Sequence, residues 1–253
     1  MHLFEFIDQA WVPSSLRDTM RDIFEYGKSR PFRPYYNWVV GEIIRIAKER
    51  GATTVVELGA GTAPLTRHLL RHPEAQDLKL VVCDSKPDEE AYRESEQASQ
   101  GRVQPIYSAI DFSQPRDWPK DSLLVLSATL HHIPSAERAQ VLNALRSNGN
   151  PVLVFEPLRR TASSILFVAL SLTPALLTPL RYLGRAGRVR RFVWCWLLPA
   201  APIMFLWDGV VSCIRQWTPV DWERGLTDTE GKRHVWAIQS WLFSQLIVVS
   251  GRR

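Results

Sequence analysis

Five short, largely apolar runs, separated by polar segments of helical spacing, constrain this chain more than any other feature. They cover residues 53–58 (TTVVEL), 78–83 (LKLVVC), 103–107, 123–127 (LLVLS) and 152–155 (VLVF). Each is too short for a buried helix and none alternates apolar with polar, so each is expected as a strand covered on both faces. Helical segments at 64–71, 89–99 and 135–147 supply that cover, and the alternation makes the sheet parallel. Ahead of the first run, Leu16, Met20, Ile23 and Phe24 share one face of a helix that starts near residue 15 and stops at Gly27. A second helix, 37–50, buries Val39, Val40, Ile43, Ile44 and Ala47. Between them, 29–36 carries Pro31 and Pro34 and reads as a loop. Residues 235–241 and 245–250 are two further strand candidates, close enough to pair antiparallel.

The turn leaving the first strand reads Val55-Val56-Glu57-Leu58-Gly59-Ala60-Gly61-Thr62-Ala63-Pro64. Glycines there let the backbone approach a ligand closely, and the following helix N-terminus offers N–H groups. Asp84 ends the second strand, where a carboxylate can accept both ribose hydroxyls of a nucleoside. A dinucleotide loop wants glycine at its sixth position; Pro64 stands there instead and removes an N–H that a pyrophosphate would use. A ligand with no phosphate fits better.

This segment resembles the first motif of class I S-adenosylmethionine-dependent methyltransferases, an acid followed by xGxGxG, with Ala63 in the third glycine position. The resemblance covers about residues 50–157 and the terminal strand pair. It implies S-adenosyl-L-methionine as cofactor, with Gly59, Ala60 and Gly61 lining its methionine part. Glu57 would orient the loop or the ammonium group, Asp84 would hold the ribose, and Ser85 would flank the adenine. Asp111, in SAIDF after the third strand, matches the family's adenine-contacting acid, its alternative being a loop or cap residue. Ser127 completes the cofactor set. Tyr35 and Tyr36 either close over cofactor and substrate or simply pack.

After the fourth strand comes Ser127-Ala128-Thr129-Leu130-His131-His132-Ile133-Pro134, and ligands of open α/β sheets bind at such strand ends. The segment resembles the fourth motif of small-molecule methyltransferases. It lacks the Asn/Asp-Pro-Pro-Tyr/Phe sequence that holds a planar nitrogen, so O- or C-methylation is expected ahead of N-methylation. An imidazole titrates near neutrality and can take the proton of a hydroxyl or an acidic carbon. His132 is the first candidate base and His131 the second, the alternative being that one of them packs. Glu156, ending the fifth strand, is placed to bind substrate or to cap the next segment of chain.

Charge then separates the chain into two parts. Residues 1–157 hold 18 Lys+Arg against 21 Asp+Glu, whereas 158–253 hold 13 against 5 and seven of the ten tryptophans. The basic residues of the second part are clustered. Positions 161–180 carry no charge, Arg181, Arg185, Arg188, Arg190 and Arg191 follow, and 192–207 is uncharged again. Such an insertion is either a helical lid over an apolar pocket, its arginines toward solvent, or an interfacial membrane hairpin with arginines at headgroups. Both point to a hydrophobic small-molecule substrate. Two uncharged runs of this length are unlike a polar nucleic-acid groove, so no nucleic-acid partner is expected. Asp208, directly after the second run, is a substrate group, another base, or a helix start.

Cys83, Cys195 and Cys213 form no CxxC spacing, so neither a metal site nor a disulfide framework is indicated. The N-terminal MHLFEFIDQAW lacks a basic region followed by an apolar run. A cytoplasmic location is expected, with or without contact at the inner face of the membrane. The expected fold is α/β, a Rossmann-like seven-stranded, mostly parallel sheet with helices on both faces and a helical apolar insertion after the fifth strand. Its parts are an N-terminal helical cap (1–50), the cofactor core (51–157), the insertion (158–217) and a C-terminal completion (218–253). The expected activity is S-adenosylmethionine-dependent methylation of a hydrophobic small molecule. The alternatives are a catalytically silent cofactor-binding protein that docks on a membrane or partner, and an RNA methyltransferase.

Overall fold

Continuous burial decides which runs become strands. In the computed structural model, which describes residues 3–27, 33–114, 116–226, 235–241 and 244–249, the chain divides into two compact units. One comprises Tyr36–Pro157 and Trp217–Arg253, the other Met1–Tyr35 and Leu158–Gln216.

The first unit holds β1 (Thr54–Leu58), β2 (Lys79–Cys83), β3 (Val103–Pro105), β4 (Ser122–Ser127), β5 (Val152–Glu156), β6 (Val235–Trp241) and β7 (Ser244–Val249). They form one α/β Rossmann-like sheet in the order β3-β2-β1-β4-β5-β7-β6. β1 to β5 run parallel, β7 returns antiparallel beside β5, and β6 pairs antiparallel with β7. All five residues of β1 and all five of β5 are buried, each large aliphatic one worth roughly 1.5–3 kcal/mol against exposure. From β1 the chain builds outward through β2 and β3, then crosses back to β4 and β5. The direction of winding therefore reverses between β1 and β4, and the crevice outside such a reversal is where open α/β sheets take their ligands.

Helix α1 (Ser14–Gly27) lies in the second unit; α2 (Arg33–Glu49), α3 (Pro64–Leu70), α4 (Glu89–Ala98) and α5 (Arg138–Leu145) precede or connect the parallel strands. α2 starts earlier than the prolines suggested. Pro34 occupies its first turn, where a missing N–H costs nothing because that N–H has no helical partner anyway. Residues 28–32 lie outside the described ones.

After β5 come α6 (Ala162–Leu170), α7 (Leu172–Arg181), α8 (Arg188–Phe192), a wide π-type turn (Val193–Leu197) and α9 (Ala200–Arg215), followed in the first unit by α10 (Pro219–Gly225). The uncharged stretch at 161–180 is thus two helices parted at Ser171, and Thr161 caps the first by accepting from the Ser164 N–H. Gly209 lets α9 approach α6: a Cβ there would sit 2.6 Å from a Val168 methyl.

The expected N-terminal cap, 1–50, is divided between the two units at Tyr35 and Tyr36. Residues 3–27 pack with the insertion instead, Val12, Leu16, Met20 and Ile23 sharing a core with Ala175, Cys195 and Ala201. Polar contacts explain the pairing. Arg190 and Arg191 both reach Asp22, at 2.5 and 2.7 Å, and Arg190 also reaches Asp18 at 3.0 Å. These two of the five clustered arginines are therefore structural partners rather than part of a free basic tip. Buried Glu5 accepts from Arg215 (2.8 Å) and Ser212 (3.1 Å).

Asp208 lies inside α9 rather than at a helix start, and its two oxygens accept from the Phe6 and Ile7 N–H groups at 2.6 and 3.0 Å. It serves as the N-terminal cap of a short 3-10 turn, Phe6–Asp8. Burial pushes its carboxyl up to about 6 despite those two donors. A carboxyl raised in the folded state costs stability above that value and regains it as pH falls toward its unfolded value near 4. Between pH 7 and pH 5, the unfolding free energy of the native chain should therefore rise relative to Asp208→Asn by about 1 kcal/mol. Parallel denaturant titrations of both proteins check this, and an unchanged difference would contradict it.

Candidate functional site

The site begins with the backbone at the end of β1. Gly59, Gly61 and Ala63 all have left-handed φ (69°, 51° and 52°), which coils the chain tightly between strand and helix. The Gly59 and Ala60 N–H groups both donate to the Cys83 carbonyl, at 3.0 and 3.1 Å, drawing the turn across the end of β2. A side chain at Gly59 would have no room, since its Cβ would lie 2.4 Å from the Thr129 side chain. At Gly61 the corresponding space is open.

Three side chains hold the turn. Glu57, 2% exposed, accepts from both the N–H (2.9 Å) and the hydroxyl (2.6 Å) of Thr66 in the first turn of α3. It thereby fixes where that helix starts. Asp84 accepts from the Gly61 N–H at 2.8 Å through one oxygen and from the Lys86 N–H at 2.8 Å through the other. Thr129 lies within 3.3 Å of the Leu58, Gly59 and Ser127 carbonyls and joins the ends of β1 and β4. Thr66 and Thr129 were not singled out from the sequence; only their places, a first helical turn and two residues past a strand, could have marked them.

The remaining cofactor candidates are brought to the same edge to different degrees. Ser85 donates to the Asp84 carboxylate at 3.3 Å. Ile110 donates to the Asp84 carbonyl, so the segment carrying Asp111 returns to the end of β2. Asp111 itself is exposed and accepts from the Ser113 hydroxyl and N–H, which lowers its pKa. Tyr36 stacks on His68 of α3, centroids 4.9 Å apart and planes 9° from parallel. The Tyr35 side chain lies outside the described residues.

At the ends of β4 and β5 the two histidines divide. His131 is buried, and its Nδ1 lies 2.7 Å from Glu156, whose other oxygen accepts the His131 N–H at 3.2 Å. Glu156 is fully buried, and both of its oxygens engage His131. With Glu156 as a carboxylate, which only accepts, Nδ1 would carry the proton and leave Nε2 as the acceptor nitrogen. His132 is exposed and its ring lies 4.2 Å from that of His131. Arg138 braces this segment by donating to the His131 and Ile133 carbonyls, with its guanidinium over the Trp217 ring. Asp208 belongs to the other unit.

All three cysteines are buried free thiols. Burial pushes the Cys83 thiol up to about 12 and those of Cys195 and Cys213 up to about 11.

No protein-family model and no characterised protein matches the sequence. Among solved structures, the chain is similar to the plantazolicin methyltransferase BpumL, solved with SAH (TM-score 0.58, 11% identity, 97% of this chain and 94% of that one). It is also similar to magnesium protoporphyrin IX methyltransferase (ChlM) from Synechocystis PCC 6803, likewise solved with SAH (TM-score 0.53, 15% identity, 94% and 95%). TnmH aligns at a TM-score of 0.50 and 16% identity over 85% of this chain and 54% of that one. The chain has the fold of the class I S-adenosylmethionine-dependent methyltransferases.

The turn itself gives a test. Gly59→Ala combines a left-handed φ with a clash against Thr129, whereas Gly61→Ala carries strain in φ alone, about 1–2 kcal/mol. Thermal unfolding should show the larger loss for Gly59→Ala. Equal losses would mean that the close approach is not what holds the turn.

Proposed function

We propose that this protein is an S-adenosylmethionine-dependent methyltransferase acting on a hydrophobic small molecule, by O- or C-methylation. The observation that carries this reading is the turn after β1. A phosphate-free glycine loop is held by a buried acid, an aspartate at the next strand end touches it, and a carboxylate-paired histidine stands at the neighbouring strand ends. Open space at Gly61 and the absence of room at Gly59 fit a loop whose backbone lies directly against its ligand on one side.

Gly59, Ala60 and Gly61 would line the methionine part of the cofactor, Asp84 the ribose, and Ser85, Asp111 and Ser127 its remaining edges. When bound there, S-adenosylmethionine would supply an electrophilic methyl group on a sulfonium, with the neutral thioether as the leaving group. The chain's own work is then positioning and proton removal. His131 takes the acceptor proton on Nε2 while Glu156 holds the ring's tautomer and offsets the charge it gains. His132, exposed and ring to ring with His131, passes that proton to solvent. An apolar acceptor is favoured by the segment that leaves Glu156, in which no acidic residue occurs from 157 to 207.

Calorimetry with S-adenosylhomocysteine separates the two halves of this reading. Asp84→Asn keeps an acceptor for the turn but loses the charge-assisted hydrogen bonds, and should weaken binding ten- to a hundredfold. His131→Asn should leave the affinity unchanged. Failure of the folded native chain to bind S-adenosylhomocysteine would overturn the cofactor assignment.

A further inference from the structure

We propose that the insertion is a docking surface for an anionic phospholipid bilayer. Among the described residues, eighteen of the twenty large apolar side chains exposed to solvent belong to the unit formed by residues 1–35 and 158–216. Fifteen of them fall between Ile165 and Ile214. A monomeric soluble protein scatters such residues singly over its whole surface, and a concentration of this kind marks a contact.

The side chains are exposed by construction of the fold. α6 turns Ser164 and Val168 inward, which leaves Leu166 and Leu170 outward, each more than half exposed. Leu183 follows α7, Leu197 closes the wide turn, and Ile203 lies in the first turn of α9; these three are likewise more than half exposed. The elements that carry them pack on one another, and Trp196 ties two of them by donating to the Leu176 carbonyl at 2.8 Å.

Charge selects the partner. From 157 to 207 there are seven arginines and no acid. Arg190 and Arg191 are taken up by Asp18 and Asp22, while Arg185 and Arg188 are exposed and line a shallow depression with Gly184 and Gly187. Exposed cations beside exposed leucines complement a surface that is negative at its headgroups and apolar just beneath. Two copies joined through this face would set arginine against arginine, so self-association is disfavoured.

The contact is peripheral rather than spanning. Ala162–Arg181 is long and apolar enough to cross a bilayer, but α6 and α7 part at Ser171 and both pack on α9. α7 and α9 also pack on α1, whose Asp18 and Arg21 are exposed charges unsuited to hydrocarbon. None of the docking residues belongs to the methyl-transfer site, so the surface stands or falls apart from that chemistry.

The test is co-sedimentation of the full chain with vesicles of phosphatidylglycerol and phosphatidylcholine, against vesicles of phosphatidylcholine alone. Binding to the anionic vesicles should be at least tenfold stronger and fall as salt rises. Arg185→Glu and Arg188→Glu should each weaken it about fivefold or more. Leu170→Glu with Leu197→Glu should weaken it on both vesicle types, while circular dichroism and melting stay native because both positions face solvent. Three results would overturn the proposal: no vesicle binding by the folded native chain, equal binding to neutral and anionic vesicles, or a dimer in sedimentation equilibrium that the leucine variants dissolve.

Discussion

The close approach of Gly59 to Thr129 is the contact on which the rest of the candidate site depends. Parallel pairing of β1 with β4, Leu58 beside Leu126, brings the two strand ends together where the winding of the sheet reverses. Only a residue without a side chain fits between Leu58 and the Thr129 methyl and hydroxyl. Once the turn is seated there, the Gly61 N–H meets Asp84 and the start of α3 comes under the Glu57 carboxylate. The same placement of β4 beside β5 sets His131 over Glu156. One backbone contact thus serves both the loop that would hold a cofactor and the histidine that would remove a proton.

Polar groups are used differently in the two units. In the sheet unit, buried acids act locally on functional segments: Glu57 on a helix start, Glu156 on an imidazole. In the other unit, acids of the N-terminal segment neutralise arginines of the insertion, Glu5 pairing with Arg215, and Asp18 and Asp22 with Arg190 and Arg191. Unpaired, those arginines would be costly beside so much apolar surface. The arginines left exposed are the ones that can meet an outside partner.

Much of the sheet was legible because buried parallel strands are written as short, largely apolar runs: 78–83 and 152–155 were expected, and Lys79–Cys83 and Val152–Glu156 are found. The glycine loop and Asp84 were legible because their chemistry depends on residue type at fixed spacing. Contacts set by tertiary packing could not be read. Nothing in the spacing of Glu156 shows that it lies beneath His131, or that Thr129 reaches back to Leu58. The association of residues 3–27 with the insertion was hidden because its partners lie more than 160 positions apart. Asp208, read as a substrate group, a base or a helix start, accepts from two backbone N–H groups some 200 residues earlier in the chain. Proline at 34 misled because its cost vanishes in a first helical turn.

The central proposal is that the turn and the histidine pair transfer a methyl group to an apolar acceptor. The most direct measurement is incubation of the protein with methyl-labelled S-adenosylmethionine and a lipid-rich extract, with partition of the label into organic solvent as the readout. The native chain should move label into the organic phase, and His131→Asn should lower that rate by about a hundredfold or more. Label that remains entirely aqueous, with S-adenosylhomocysteine bound by the same preparation, would contradict the proposal and leave a protein that binds the cofactor without using it.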